Sequence, residues 1–195
     1  MAMRGRRGGG TATEILDVTE RLVQTRGFNG FSYADAAAEL AITKAALHYH
    51  FPGKAELGEA LVVRYAARFA AALAQVDEEV AEAPRKLEAY ARLYLDVLRR
   101  DRVCLCGMLA AEYQTLPETM QAAVSRFFDE NEAWLTAVLD DGRRAGTLAF
   151  AGSTSDVARM IIGSLEGAML VARLYGDLGR FEATAERIVV GLAAP

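Results

Sequence analysis

The sequence predicts an all-α protein of about nine helices, a small three-helix head followed by a larger helical body. Three observations lead to that class. Apolar residues recur with the 3.6-residue period of a helix, and no segment sustains the period-2 alternation of a strand. Serine, proline and glycine fall where helices begin and end. With 195 residues, 52% of them hydrophobic and 25% charged, the chain can build a packed core and is too apolar to stay disordered.

After the Gly8-Gly9-Gly10 tract, Ile15, Thr19, Leu22 and Val23 share one helical face that ends at Gly27. Ser32, with Asp35 three residues on, makes a capping box for a short helix that runs to Leu40. Only Ala41 and Ile42 separate it from a third short helix, Thr43 to Tyr49, and Pro52-Gly53 closes the head. A stripe from Leu57 through Leu61, Tyr65, Phe69, Leu73, Val76 and Val80 marks one long helix from about Lys54 to Glu82. Pro84, suited to a first turn, opens the next, with Leu87, Tyr90, Ala91, Tyr94 and Leu98 on one side. A short apolar segment follows from Val103 to Tyr113. Pro117 then introduces Met120, Val124, Phe127, Asn131, Trp134 and Val138 on a helix ending near Gly142 or Gly146. Ser153 with Asp156 starts an eighth helix bearing Val157, Ile161, Leu165 and Met169, and Phe181, Ala185, Ile188 and Leu192 form the ninth. The expected divisions are a flexible basic arm at 1–10, the helix-turn-helix head at 11–54 and the body at 55–195.

Composition narrows the function classes. No uncharged stretch approaches the ~20 residues of a membrane helix, and the basic start has no apolar run behind it, so no membrane and no signal peptide are expected. Two cysteines, Cys104 and Cys106, are too few for a disulfide framework, which fits a soluble cytoplasmic protein. The net charge is −4. Residues 1–54 nonetheless hold seven Lys/Arg against five Asp/Glu, while the rest hold 15 against 21. A basic head on an acidic body is the asymmetry of a chain that meets a polyanion at one end.

The head supplies the motif. In a helix-turn-helix one helix braces across the DNA backbone while the next enters the major groove. On the third helix Leu47 and Phe51 point inward and leave Thr43, Lys44, His48, Tyr49 and His50 for DNA. Lys54 starts the following helix, where an ammonium and free N–H groups suit a phosphate. Over Glu14–Leu61 the chain resembles the TetR family of bacterial transcriptional regulators. The likeness rests on Ile15-Leu16-Asp17, Arg26-Gly27-Phe28, Ser32 and the run Thr43-Lys44-Ala45-Ala46-Leu47-His48-Tyr49-His50-Phe51-Pro52-Gly53-Lys54. It implies a double-stranded DNA operator as partner, contacted by Ser32, Tyr33, Thr43, Lys44, Ala45, His48, Tyr49, His50 and Lys54. Three positions depart from the family pattern: Ala41 replaces the usual turn glycine, His48 a tyrosine and Ala34 an arginine. Arg4, Arg6 and Arg7 suit either a minor-groove arm or an idle tail.

The resemblance also implies a body that binds a small-molecule effector and forms a homodimer. Tyr65, Phe69, Tyr90, Tyr94, Met108, Phe127, Trp134 and Met169 are large, adaptable side chains on successive helices, suited equally to a pocket wall and to a core. Glu166 and Arg173 could orient a ligand if they face inward; otherwise they belong to surface or dimer ion pairs. Gly163 and Gly167, four apart, would let paired helices approach, with Ile188 beside them, in a two-fold four-helix interface. The same glycines could instead relieve crowding inside one subunit.

The reading that follows is a ligand-responsive regulator, a repressor released from its operator by an apolar or aromatic molecule, with no cofactor. An alternative is a redox or electrophile sensor acting through Cys104 and Cys106, whose position at a helix start could lower a thiol pKa. An enzyme fits poorly. The two histidines, His48 and His50, sit on the recognition helix, and there is no zinc ligand set, Ser-His-Asp arrangement or phosphate-cradling glycine loop. A ligand-free chromosome-packing protein is opposed by the net charge.

Overall fold

A computed structural model describes residues 8–194, with side chains from Thr11 onward; Arg4, Arg6 and Arg7 of the expected arm lie outside the described residues. Among the described residues nine α-helices follow one another: α1 (Gly8–Arg26), α2 (Tyr33–Glu39), α3 (Lys44–His50), α4 (Lys54–Glu79), α5 (Ala83–Leu98), α6 (Leu105–Ala111), α7 (Glu118–Ala145), α8 (Thr154–Tyr175) and α9 (Gly179–Leu192). A 3-10 turn at Tyr113–Thr115 precedes α7. Among the described residues the one strand-like pairing is a bridge between Leu148 and Ala193.

Local chemistry sets the boundaries. Ser32 caps α2 through the reciprocal bonds of a capping box with Asp35, as the spacing predicts. Ser153 caps α8 by accepting from the Asp156 N–H, and Gly146 and Gly176 close α7 and α8 in the left-handed region. Three boundaries differ from expectation. The glycine tract, assigned to the arm, already belongs to α1. The long helix stops at Glu79 because Val80 turns extended ahead of Pro84. The sixth segment is helical over seven residues, with Cys104 as its N-cap.

In the head, Ile15, Leu22 and Val23 of α1 pack with Phe28, Phe31, Ala36, Ala37 and Leu47, all of them buried. Ala41, between α2 and α3, adopts φ +52°. Its N–H reaches the Ala38 carbonyl and the next N–H reaches that of Ala37, which closes α2 and turns the chain into α3. A Cβ in this region costs roughly 1–2 kcal/mol, so the head keeps its turn despite lacking the usual glycine.

α4 leaves the head and crosses into the body. Its 26 residues at 1.5 Å each span about 39 Å. There α4 packs on α7, α5 lies against α7 and α9, and α8 is held between α7 and α9. α6 sits beneath α1 and beside α7, so that α4 and α6 both pack on the head. No described helix is long and apolar enough to cross a membrane.

Candidate DNA interface and effector site

The exposed face of α3 carries Lys44, Ala45, His48 and Tyr49, with His50 half-buried beside them. Tyr49 is 85% exposed, the most open of the large hydrophobic side chains among the described residues, and its ring meets the His50 ring edge-on at 5.3 Å. An aromatic side chain left in water at the tip of a buried-core helix suits contact with a sugar-phosphate backbone. Leu47 is wholly buried beneath it and Phe51 packs partly against the core, as the sequence requires.

The other expected DNA residues hold the interface in shape. The Thr43 hydroxyl accepts from the Ala46 N–H and caps α3, and Ser32 caps α2. The Tyr33 hydroxyl donates to the Phe51 and Gly53 carbonyls, so it pins the chain leaving α3; burial, then Glu56, pushes its pKa up to about 12. His48 packs on the Tyr33 ring at 4.7 Å and places Nδ1 3.0 Å from the Pro52 carbonyl oxygen. Lys54 departs most from expectation. Its ammonium turns inward, donates to the Phe31 carbonyl at 2.7 Å and lies over the rings of Phe28 and Phe31 at 4.6 and 4.5 Å. Burial pushes its pKa down, and a charge held this way braces the head rather than reaching out to a phosphate.

Two body residues grip the end of α1. Arg173 of α8 donates to the Gln24 carbonyl at 3.1 Å and the Thr25 carbonyl at 2.9 Å, which satisfies acceptors left open at a helix C-terminus. Glu112, just past α6, accepts from the Phe28 N–H at 2.6 Å and the Asn29 N–H at 3.2 Å. Between these grips Gly27 takes φ +83°, and a Cβ there would run into the Glu112 carboxylate. α4 adds Arg64 and Arg68, which pair with Glu20 of α1, Arg64 also with Asp17.

The expected pocket residues do meet, but as a packed aromatic core. Phe69 lies 5.2 to 6.0 Å from the rings of Tyr90, Tyr94 and Phe127, and Trp134 stacks on Tyr90 at 5.6 Å. Tyr90 and Tyr94 share a hydroxyl hydrogen bond, Tyr90 reaches Asn131, and Trp134 donates to Asp77. Met169 accepts from the Cys104 N–H, and Met108 is half-buried at the edge of the same core. Open volume lies beside this cluster: a crevice of about 620 Å³ between α1, α4 and α5, with Tyr65 and Phe69 on its wall.

Glu166 faces inward and forms no ion pair. Its Oε1 is buried without a hydrogen-bond partner, and its other oxygen occupies the space that a Cβ at position 107 would need, which Gly107 leaves open. Burial pushes its pKa up to about 7. Cys104 and Cys106 are buried and free, and burial together with the Glu166 carboxylate drives both thiols well above the usual range. The helix-start position therefore does not make a thiolate here, because desolvation outweighs the N-terminal dipole. Among the described residues no cluster of His, Cys, Asp and Glu could hold a metal ion.

Residues 15–61 match the family model for bacterial regulatory proteins of the tetR family, and residues 83–188 match a tetracyclin repressor-like C-terminal domain. The chain belongs to the TetR family. A TetR-family transcriptional regulator from Agrobacterium tumefaciens is 32% identical, with a TM-score of 0.93 over 96% of this chain and all of that one. A TetR regulator from Legionella pneumophila is 31% identical, with a TM-score of 0.86 over 97% of this chain and all of that one. The HTH-type transcriptional repressor NemR of Escherichia coli (strain K12) is 25% identical over 168 residues, 84% of each chain. TetR membership accounts for the head and for the helical body, and the protein is a DNA-binding transcriptional regulator. Sequence reasoning did not find Glu112: its contacts lie 84 and 83 residues away along the chain, and only the glycine at 27 hinted at a close approach there.

Tyr49→Ala should weaken operator binding in a fluorescence-anisotropy titration while leaving the denaturation midpoint unchanged, whereas Lys54→Ala should lower stability by about 1–2 kcal/mol through the lost cation-π and hydrogen-bond contacts. For Glu166, the folded pKa of about 7 lies above the ordinary 4.5, so its contribution to stability is greatest below pH 4.5 and is lost as pH rises through 7. Glu166→Gln should therefore stabilise the protein by about 2–3 kcal/mol at pH 8 and by much less at pH 5 in paired urea melts.

Proposed function

We propose that the protein is a homodimeric repressor that holds a palindromic operator and is released by an apolar or aromatic small molecule. The observation that carries the reading is the pairing of an exposed recognition face with a rigid grip. Tyr49 stands open on α3, while Arg173 and Glu112 tie the end of α1 to helices of the body. A ligand that shifts α8 or the end of α6 thereby acts on the head, by as much as its differential affinity for the two placements. The NemR relative carries the name of a transcriptional repressor, which supports the sign of regulation. Such a protein acts in the cytoplasm, where its operator is.

Dimerisation is supported by an unpartnered stripe on α8. Met160, Leu170, Val171 and Leu174 are 45–77% exposed, and Val190 of α9 is 61% exposed. Gly163 and Gly167 lie along the stripe, where an added Cβ would meet nothing within 4 Å. Crowding within the subunit therefore does not explain the glycines, and room for close approach of a second copy would. Ile188 lies in the groove beside them, half-buried between α8 and α9. Two heads joined this way would meet half-sites one or a few turns apart, ~34 Å per turn.

Selection of bound duplexes from random DNA tests the whole reading and should return a palindrome. Gly163→Leu with Gly167→Leu should give a helical monomer by sedimentation and lose affinity for the selected duplex, since each subunit has room for the new side chains. A wild-type monomer at micromolar concentration, or an undisturbed dimer in the variant, contradicts the interface.

A further inference from the structure

The crevice between α1, α4 and α5 is lined by three carboxylates, Asp17, Glu20 and Asp96, and three guanidiniums, Arg68, Arg100 and Arg102. Its three carboxylates are all engaged: Asp17 with Arg64, Glu20 with Arg64 and Arg68, and Asp96 with Arg99. The guanidiniums of Arg100 and Arg102, by contrast, line the same crevice and form no ion pair or hydrogen bond among the described residues. Arg102 is half-buried and Arg100 exposed; Arg102 feels the guanidiniums of Arg21 and Arg100 and, against them, the carboxylates of Glu20 and Asp17. Burial, and then Arg21, push its pKa down, so the two carboxylates, already held by Arg64 and Arg68, do not fully offset the cost of its charge.

A second, independent observation lies on the crevice wall. Gln24 is 2% exposed, and its carboxamide oxygen is buried without a hydrogen-bond partner. A buried acceptor left unsatisfied in a folded protein asks for a donor. The remaining wall is apolar and aromatic, from Tyr65, Phe69, Leu93 and Val97. The volume of about 620 Å³ is that of a small-molecule site.

We infer that this crevice binds an organic anion with a flat apolar body and one hydrogen-bond donor, its carboxylate between Arg100 and Arg102 and its donor on Gln24. The site shares Tyr65 and Phe69 with the pocket residues that the sequence suggests, and lies beside the packed interior that holds Tyr90, Tyr94 and Glu166. Its position is also the one best suited to act on DNA binding. Gln24 contributes the backbone carbonyl that Arg173 grips, so a molecule seated on its side chain touches the joint between head and body. That consequence rests on the repressor reading above; the binding itself does not.

Calorimetry on the full-length protein with a matched set of probes tests the site. Indole-3-acetate supplies the anion and the N–H, indole-3-acetamide removes the charge, tryptamine reverses it, and 1-naphthylacetate keeps the charge without the donor. Indole-3-acetate should bind at least about tenfold more tightly than the amide or tryptamine, as expected for charge-assisted bonds. Arg100→Gln with Arg102→Gln should erase that preference. 1-Naphthylacetate should bind several-fold more weakly than indole-3-acetate to the wild type and equally to Gln24→Leu. Ala72→Trp, which fills the crevice without changing its charge, should abolish binding with an unaltered melting temperature. Absence of binding by every probe, equal binding of all four, or undiminished binding to the arginine variant overturns the site. Binding as described with unchanged operator affinity supports the site and defeats only the repressor reading.

Discussion

The joint at the end of α1 is the constraint on which the rest of the molecule depends. A helix C-terminus leaves carbonyls open and the following turn leaves N–H groups open. Here both sets are satisfied from the body, by the Arg173 guanidinium and the Glu112 carboxylate. A loop secured by its own side chains would let the head pivot. Because the partners belong to α8 and to the end of α6, the head takes its direction from the body. Gly27 is the cost of that closeness, since any side chain there would meet Glu112 in a backbone conformation that side chains rarely adopt.

Division of labour within the head follows from the same economy of polar groups. Ser32, Tyr33, Thr43 and Lys54 direct their polar atoms at backbone groups of the head, and what is left facing outward is Lys44, His48, Tyr49 and their neighbours. Lys54 shows why a match in sequence pattern does not settle a role. A lysine at the start of a helix fits a phosphate, but the rings of Phe28 and Phe31 and an open carbonyl at Phe31 offer its ammonium a closer site. In the body the aromatic cluster and the buried Glu166 make a polar-edged core whose tyrosines and thiols stay protonated.

Much of the fold was legible because it is written locally. The capping pair Ser32 and Asp35, Pro84 in a first turn, Ser153 with Asp156 and the 3.6-residue stripes each act over a few residues, and each appears in the structure. Leu47 could be assigned to the interior, and Tyr49 to the surface, from their places on one short helix. The joint was not legible, because Glu112 and Arg173 act across more than 80 and nearly 150 residues of chain. Sequence spacing carries no information about which distant carboxylate will meet a given amide. The same holds for Arg102, whose guanidinium has no ion-pair partner among the described residues, and for Glu166, which lies beside the Cys104 and Cys106 thiols.

The most direct test of body-imposed head placement is operator affinity of the double variant Glu112→Gln, Arg173→Met, measured on a dimer with wild-type helical content. Both substitutions keep side-chain bulk and leave every residue of α3 in place. If the grip sets the heads, affinity should fall by about tenfold or more, in line with the loss of charge-assisted bonds at both sides of the turn. Wild-type affinity in that variant would contradict it and would mean that the head finds its operator without direction from the body.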